Sequence, residues 1–415
     1  MSEIANRPQA KYKWNSIGEC EYSMEGTQLY ANRIKYLPPY LFAAIDQIKQ
    51  EARAKGIDVI DLSVGDPDMP TPPHIVEALK MASDNSENHQ YPSYAGKLAF
   101  RTAMANWYMD TFGVALDPEK EVLTLIGSKE GLAHAPLAFI NPGDLALVPD
   151  PAYTVYKTSV IFAGGKPISL PLLRMNGFLP DLEAIDPEIA RKAKMIFLNY
   201  PNNPTGASAN LKFFKKLVDF ARDYHLLVMH DNPYSEVYYD DQRSLSILMI
   251  DGAKDVSVEF HSLSKTYNMT GWRIGAVVGN PEIVAGIGKV KSNIDSGDFG
   301  AVQDAGIVAL SSPQSRKATD EIRGVYKYRI GLLYKCLKEL GLEVEKPRAT
   351  LYLWGWIDGD SVEFCKHLLE KAGIVATPGI GFGQYGEGYV RFSITQPTIK
   401  IEKAVDRLQK LGTLK

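Results

Sequence analysis

The sequence predicts an α/β fold, in which helices flank a mostly parallel central sheet and a smaller α+β domain is attached. Two observations lead to this prediction. Apolar runs with strand character alternate with helical patterns through the middle of the chain, and most strands run into loops rich in Gly, Pro, Asn or Asp. Such alternation is typical of parallel α/β sheets. The chain has 415 residues, of which 45% are hydrophobic and 23% charged, so it is long enough for two domains with their own cores.

Composition and charge exclude several classes of protein. The net charge is −3, which gives no electrostatic footprint for nucleic acid or an anionic membrane. No run approaches the roughly 20 apolar residues of a membrane span, and residues 1–19 have no apolar segment typical of a secretory signal. The three cysteines are far apart and odd in number, which favours reduced thiols in the cytoplasm. No metal site is expected.

The elements follow in order. Residues 1–36 are predicted to be an arm, either frayed or laid across a neighbouring subunit, and a helix runs from near Tyr40 to Gly56. A strand at 59–64 then enters the turn that begins at Gly65. The other predicted strands cover 121–126, 145–149, 195–198, 225–230, 256–260, 274–278, 342–346, 350–357 and 389–394, and the other helices 97–112, 130–140, 211–224, 281–294, 299–310, 320–340 and 362–372. We predict a large domain at 58–306, and a small domain that combines 37–57 with 307–415.

The stretch from Ser262 to Arg273 carries the densest chemistry in the chain. It reads Ser-Leu-Ser-Lys-Thr-Tyr-Asn-Met-Thr-Gly-Trp-Arg and follows an apolar strand. Its single lysine, Lys265, has hydroxyl neighbours but no adjacent carboxylate, so partial burial would lower its pKa and make the amine a nucleophile near neutral pH. Arg273 offers a rigid, permanently charged fork for phosphate. The alternative is a solvated Lys and Arg around a turn.

Other loops present groups at the ends of predicted strands. The strand–loop–helix unit around Ser128 and Lys129 places free backbone N–H groups at a helix N-terminus, which is a ready phosphate site. Asn203 lies in an Asn-Pro-Thr-Gly loop, where the alternative is an asparagine that closes a turn. Asp231 follows a strand at the position where open α/β sheets contact ligands, with a helix cap or a surface acid as the alternative.

Arg391 alternates with apolar neighbours in the predicted strand at 389–394. A charge on a half-buried strand is costly unless it is paired, so the residue is either a ligand-binding arginine or an exposed edge-strand arginine. The preceding Gly-x-Gly-x-x-Gly at 381, 383 and 386 does not indicate dinucleotide binding, because a strand follows it where that motif requires a helix.

These motifs, in this order, resemble the pyridoxal-phosphate aminotransferases of classes I and II. The resemblance covers nearly the whole chain after the arm, and its lysine and Asn-Pro-Thr-Gly motifs are the most specific parts. It implies fold type I, pyridoxal 5'-phosphate as cofactor, amino-acid and 2-oxo-acid substrates, and a homodimer with shared active sites.

The resemblance also implies the site residues. Lys265 would bind the cofactor covalently, and Asp231 would lie opposite the ring nitrogen. Tyr234 would bond the phenolic oxygen alongside Asn203, and the catalytic set would be Lys265, Asp231 and Tyr234. The other implied cofactor residues are Tyr91 from the neighbouring subunit, Ser128, Lys129, Tyr153, Ser262, Ser264 and Arg273, and the implied substrate residues are Tyr40, Gly65, Asn203, Ser296 and Arg391. For Tyr91 taken alone, the alternative is a half-buried core tyrosine.

Three blocks, at 37–42, 89–94 and 259–273, look most like LL-diaminopimelate aminotransferases of bacteria and archaea. The implied reaction transfers an amino group from LL-diaminopimelate to 2-oxoglutarate, or in reverse during lysine biosynthesis. Related enzymes often have asparagine at position 296, whereas this chain has Ser296 between Asp295 and Asp298; these acids would meet a distal ammonium or be solvated surface acids. The alternatives are a broader aspartate, alanine or aromatic aminotransferase, a β-lyase or decarboxylase, and a non-catalytic sensor domain.

Overall fold

The computed structural model describes residues 12–14, 20–22, 30–38, 41–240 and 243–412, so Tyr40 and most of the predicted arm lie outside the described residues. The strands are β1 (Tyr12–Trp14), β2 (Cys20–Tyr22), β3 (Ile60–Asp61), β4 (Val122–Leu125), β5 (Leu145–Asp150), β6 (Lys166–Pro171), β7 (Ala193–Asn199), β8 (Leu227–Asp231), β9 (Ser257–Ser262), β10 (Gly275–Gly279), β11 (Glu343–Val344), β12 (Tyr352–Trp356), β13 (Ile374–Val375), β14 (Thr377–Pro378) and β15 (Tyr389–Ser393). The α-helices are α1 (Asn32–Lys35), α2 (Leu41–Ala54), α3 (Pro73–Ser83), α4 (Leu98–Phe112), α5 (Ser128–Phe139), α6 (Val155–Phe162), α7 (Pro187–Lys192), α8 (Leu211–Tyr224), α9 (Leu263–Thr266), α10 (Pro281–Ile294), α11 (Gly300–Ser311), α12 (Pro313–Glu339), α13 (Ser361–Ala372) and α14 (Thr398–Leu411).

A seven-stranded sheet in the order β4-β10-β9-β8-β7-β5-β6 forms the centre of the fold. Strand β10 is antiparallel to both of its neighbours, and the other adjacent pairs are parallel. The predicted mostly parallel sheet is therefore confirmed. Because β7, β8 and β9 are parallel, their carboxyl ends meet at one edge, where Asn199 is opposite Asp231.

Helices cover both faces of this sheet, as parallel sheets require. Successive residues of β7 point to opposite sides: Ile196 and Leu198 pack in one core with α4 and α8, and Met195 and Phe197 in another with α5, α6 and α10. The helices begin at local signals; the Asn210 side chain, for example, accepts a hydrogen bond from Phe213 N and starts α8.

A second, antiparallel sheet has the order β11-β12-β15-β14 and shares a core with α12, α13 and α14. The pair β13–β3 is parallel and joins 374–375 to 60–61. Tyr234, Val237 and Tyr239, which follow β8, pack in this second core. The predicted domain boundaries stay a prediction, but this core brings a segment that leaves the central sheet against residues near the C-terminus.

Two expectations about the wider chain were tested by these elements. A strand, β15, follows the Gly-x-Gly-x-x-Gly segment, which confirms that this segment is not a dinucleotide motif. Within the described part of the chain, no helix has both the length and the apolar character needed to cross a membrane.

Candidate active site

Lys265 lies on the short helix α9, directly after β9. Ser262 caps this helix by accepting a hydrogen bond from Ser264 N at 3.2 Å. The Lys265 ammonium donates to the Gly65 carbonyl oxygen at 2.7 Å. Burial, with the charges of Arg273 and Arg391 acting in the same direction and Asp66 opposing them, lowers the pKa of Lys265 to about 8. The predicted depression is confirmed, and the solvated alternative is wrong for this lysine.

Asp231 ends β8 and is only 4% exposed. Its Oδ2 accepts a hydrogen bond from the Tyr156 hydroxyl at 2.7 Å, whereas Oδ1 is buried without a hydrogen-bond partner among the described residues. Burial raises the pKa of Asp231 to about 7, although the Tyr156 hydrogen bond lowers it. A buried acceptor of this kind suits a cationic N–H group, and the surface-acid alternative is wrong.

A hydrogen-bonded network lies behind Asp231. Glu259 is fully buried in β9 and accepts hydrogen bonds from Tyr108 Oη (2.8 Å), His230 Nδ1 (2.8 Å) and Asn232 Nδ2 (3.1 Å). The His230 and Tyr108 bonds hold the pKa of Glu259 below its usual value against the opposing effect of burial. The network fixes both chain neighbours of Asp231. In the sequence, the only sign of this network is Glu259, a single acid inside an apolar strand.

Arg391 on β15 is 1% exposed, so the exposed edge-strand alternative is wrong. Its Nη1 donates to Asn203 Oδ1 at 2.7 Å, and its Nη2 donates to the Ser63 carbonyl oxygen. The guanidinium lies over the rings of Tyr352, at 4.3 Å from the centroid, and Phe382, at 4.6 Å. Burial lowers the pKa of Arg391 from its very high usual value. These contacts bring together Arg391 and Asn203, two residues to which the resemblance assigned substrate binding.

Tyr234 is also buried, and its hydroxyl shares a hydrogen bond with the Tyr352 hydroxyl at 2.9 Å. Burial raises the pKa of Tyr234 well above its usual value, and Tyr352 raises it further. Tyr352 was not predicted from the sequence, although Tyr352, Trp354 and Trp356 alternate along β12. Tyr156, also missed, lies in the first turn of α6, three residues after Tyr153, which precedes the helix.

The N-terminus of α5 forms a cationic cup. Gly127 precedes the helix at φ 76° and ψ 153°, and a Cβ at this position would overlap Arg273 Nη2. Arg273 donates to the carbonyl oxygens of Thr270 (2.8 Å) and Ile126 (3.3 Å). Partial burial and Arg273 lower the pKa of Lys129. Two cations therefore share a helix N-terminus, which is an arrangement suited to phosphate.

Buried charges outside the predicted set support this cup. Glu130 Oε2 accepts from Ile126 N at 2.9 Å. Lys291, which is 1% exposed, lies 3.5 Å from Glu130 and 2.9 Å from Asp295. Asp298 is buried, and burial raises its pKa to about 7. The solvated-surface alternative is therefore wrong for Asp298. Glu130, Asp295 and His134 also have metal-ligand spacing, but the Lys291 ammonium already supplies a cation to both acids.

The remaining predicted residues lie around the cup. Ser262 and Ser264 are buried beside Lys265. Tyr153 is half-buried, with its ring edge-on to Tyr156 at 6.0 Å and the Lys129 ammonium 5.7 Å from its centroid. It thus lies between the cup and the hydrogen-bond partner of Asp231, as a residue stacked on a cofactor ring would.

Tyr91 and Ser296 are exposed on adjacent loops. Tyr91 is 89% exposed, so the core-tyrosine alternative is wrong. Ser296 is exposed too, and a Cβ on its neighbour Gly297 would lie 3.1 Å from the Ser93 carbonyl oxygen. Neither residue packs into the site of its own chain. The roles of both residues stay predictions, and Tyr40 lies outside the described residues.

The site has a place for each end of pyridoxal phosphate. The cup at Gly127 and Arg273 fits the phosphate, and the buried Oδ1 of Asp231 fits the protonated ring nitrogen. Lys265, with its lowered pKa, fits the aldehyde. On an α/β sheet with these groups at one edge, the arrangement is that of a pyridoxal-phosphate enzyme.

The chain belongs to the aminotransferases of class I and II, whose family profile matches residues 57–408. The enzymes of this family depend on pyridoxal phosphate. The chain is 57% identical over 384 residues to LL-diaminopimelate aminotransferase of Aquifex aeolicus (strain VF5), covering 92% of this chain and 99% of that protein. The same enzyme of Syntrophobacter fumaroxidans is 56% identical over 387 residues, covering 92% and 98%. The apo structure of BacF from Bacillus subtilis is 39% identical, with a TM-score of 0.89 over 94% of this chain and 100% of that one.

Proposed function

We propose that this protein is an LL-diaminopimelate aminotransferase that exchanges amino groups between LL-diaminopimelate and 2-oxoglutarate. The products are tetrahydrodipicolinate and glutamate, and the reverse direction serves lysine biosynthesis. The substrate assignment rests on the two relatives of 57% and 56% identity that carry this name. The reaction type rests above all on one observation, that Lys265 and Arg391 bind the same short segment of backbone. Lys265, whose pKa is about 8, donates to the Gly65 carbonyl oxygen, and the buried Arg391 donates to the Ser63 carbonyl oxygen, two residues earlier.

Arg391 binds the substrate α-carboxylate in this proposal. Its guanidinium is held by Asn203 and by two aromatic rings, so its orientation is set before the substrate arrives. A bidentate arginine–carboxylate pair fixes both the position and the rotation of the substrate. Gly65 allows the substrate to approach the backbone closely.

Lys265 moves the proton. When bound, pyridoxal phosphate supplies an aldehyde for covalent attachment and a ring that withdraws electrons from the substrate Cα. With the cofactor bound, the Nζ of Lys265 would be the group that takes the proton from the substrate Cα and gives it back at the end of the transfer. A pKa of about 8 suits both directions near neutral pH. Positioned proton transfer of this kind contributes roughly 10²–10⁴-fold to the rate.

The other site residues hold charges and protons in place. Asp231 would keep a bound ring nitrogen protonated, because a buried carboxylate stabilises the adjacent cation. Tyr234 and Asn203 donate to the phenolic oxygen. Ser128, Lys129, Ser262, Ser264 and Arg273 hold the phosphate. Tyr153 lies against the ring.

We also propose a homodimer in which Tyr91 and Ser296 complete the site of the neighbouring subunit. Their exposure on adjacent loops supports this assignment. Mixing Tyr91→Ala chains with Lys265→Ala chains tests it, since a mixed dimer then has one intact site. Equal mixing after subunit exchange should restore about a quarter of wild-type activity. An unrestored mixture, in which mixed dimers are verified, would contradict the shared site.

We further propose a cytoplasmic location, supported by the free thiols of Cys336 and Cys365. The predicted domains, with a large domain at 58–306, also remain part of this proposal.

A panel of amino donors with 2-oxoglutarate tests the reaction. LL-diaminopimelate, meso-diaminopimelate, aspartate, alanine and phenylalanine are offered in turn, and glutamate, ammonia and CO₂ are measured. We expect glutamate from LL-diaminopimelate at the highest kcat/KM, with no ammonia or CO₂. A higher kcat/KM with another donor would replace the substrate assignment, and release of ammonia or CO₂ would indicate a lyase or decarboxylase.

A further inference from the structure

Tyr352, on β12, contacts three of the predicted site residues although no role had been assigned to it. It is 3% exposed, and its hydroxyl lies 2.9 Å from that of Tyr234. The Arg391 guanidinium lies over the Tyr352 ring, at 4.3 Å from the ring centroid. A Cβ at Gly65 would overlap the same hydroxyl. We propose that Tyr352 is a positioning residue, which orients Tyr234 through its hydroxyl and Arg391 through its ring.

The Tyr352 hydroxyl acts on Tyr234 through the direction of the hydrogen bond between the two hydroxyls. Of two hydroxyls in one hydrogen bond, only one donates to the other. When Tyr352 donates, the proton of Tyr234 is left to point at another acceptor, and a hydroxyl that accepts a hydrogen bond is a stronger donor. In the proposed function that acceptor is the phenolic oxygen of the cofactor. Tyr352 therefore strengthens the bond that Tyr234 makes, without touching the cofactor.

The ring acts on the other half of the site. Tyr352 pairs with Ser393 across the sheet, so Arg391 is its diagonal neighbour. Such neighbours are within reach of aromatic and long side chains. Tyr352 and Phe382 together restrict rotation of the guanidinium, while Asn203 and Ser63 set its direction. The arginine fork then meets a carboxylate without first losing side-chain freedom.

Gly65 explains why the tyrosine fits. Any side chain at position 65 would push the Tyr352 hydroxyl away from Tyr234. The Gly65 carbonyl meanwhile accepts the Lys265 ammonium. The absence of a side chain at Gly65 thus serves Tyr352 as well as the approach of the substrate.

Two variants separate the two roles. Tyr352→Phe removes the hydroxyl and keeps the ring, whereas Tyr352→Leu removes both. Tyr239→Phe is the matched control, because Tyr239 is buried in the same core and donates its hydroxyl to the Thr350 carbonyl, away from Tyr234 and Arg391. Two quantities are measured in the holoenzyme: the midpoint of the pH titration of the bound cofactor's visible absorbance, and the KM for L-glutamate.

We expect Tyr352→Phe to raise the titration midpoint by about 0.5–1 pH unit, because a weaker donor stabilises the deprotonated phenolic oxygen less. The KM for L-glutamate should change less than about twofold, because the cation–π contact is kept. Tyr352→Leu should raise the midpoint similarly and raise the KM roughly 3- to 30-fold. Tyr239→Phe should match wild type in both measurements.

The hydroxyl role is overturned if Tyr352→Phe titrates like Tyr239→Phe. It is also overturned if Tyr352→Phe shifts the midpoint as much in a Tyr234→Phe background as in wild type, since Tyr234 would then not be the intermediary. The ring role is overturned if Tyr352→Leu keeps a wild-type KM. The inference rests on the proposed function for the role of Tyr234, but the titration needs no substrate. A shifted midpoint in an enzyme inactive with LL-diaminopimelate would reject the substrate assignment alone.

Discussion

Gly127→Ala should weaken the hold on phosphate without affecting the ring end of the cofactor. At φ 76° and ψ 153° the backbone is in a region that is essentially restricted to glycine. An alanine there costs about 1–3 kcal/mol of folding stability. The added Cβ would also overlap Arg273 Nη2, and since that atom ends a flexible side chain, the guanidinium moves out of the cup. Losing one hydrogen bond to a charged group costs about 1.5–3 kcal/mol, or roughly 10- to 150-fold in affinity.

The assay is equilibrium binding to the apoenzyme, with pyridoxal phosphate and with pyridoxal, which lacks the phosphate. Gly127→Ala should lose affinity for the first ligand and keep its affinity for the second. Gly143→Ala is the control, because Gly143 has a φ of 90° with nothing within 4 Å of its added Cβ. It should lose stability but bind both ligands normally. Equal losses of affinity for pyridoxal phosphate and for pyridoxal would show that the cup at Gly127 and Arg273 does not bind the phosphate.

Three further predictions concern protonation and charge. Covalent binding of pyridoxal to the apoenzyme should accelerate as the pH rises through about 8, the pKa of Lys265, because only the neutral amine reacts; stopped-flow absorbance checks this, and a midpoint near 10 would contradict the effect of burial. Asp231→Asn should stabilise the apoenzyme by up to about 4 kcal/mol above pH 7, because a carboxyl whose folded pKa is about 7 and whose ordinary pKa is 3.8 carries its full penalty only above pH 7. In denaturant titrations the gain should decline as the pH falls from 7 toward 4, and a pH-independent gain would point to packing. Arg391→Lys keeps the charge but loses the fork, so the KM for L-glutamate should rise roughly 10- to 150-fold with unchanged cofactor absorbance; loss of the absorbance would mean that Arg391 holds the cofactor.

Local sequence signals predicted the central sheet and the groups at its edge. Lys265 and Asp231 each follow an apolar strand. The carboxyl ends of parallel strands lie at the same edge of a sheet, so the two residues were expected there. Their perturbed pKa values also follow from their position at a buried edge. Helix α14 was missed despite a usable signal, because Ile401, Val405 and Leu408 recur at helical spacing.

Contacts between distant elements could not be predicted. The proximity of Tyr352 to Arg391 depends on the register of β12 against β15, and register is set by packing and turn geometry. Asp298 had a surface acid as one of its alternatives, whereas it is 5% exposed, and this burial depends on tertiary packing that the local sequence does not show. Helix α12 begins at Pro313, not at the predicted 320, because the Ser312 side chain caps it by accepting a hydrogen bond from Gln314 N.

The hydrogen bond between Asn203 and Arg391 links the loop after a strand of the central sheet to the antiparallel sheet. Asn203 belongs to the loop after β7, whereas Arg391 and Tyr352 come from the antiparallel sheet. In the proposed function Arg391 meets a carboxylate that every amino-acid substrate carries. A substitution on that sheet that moves the guanidinium would therefore alter the hold on all substrates, and the Asn203 bond would carry the change to the loop after β7.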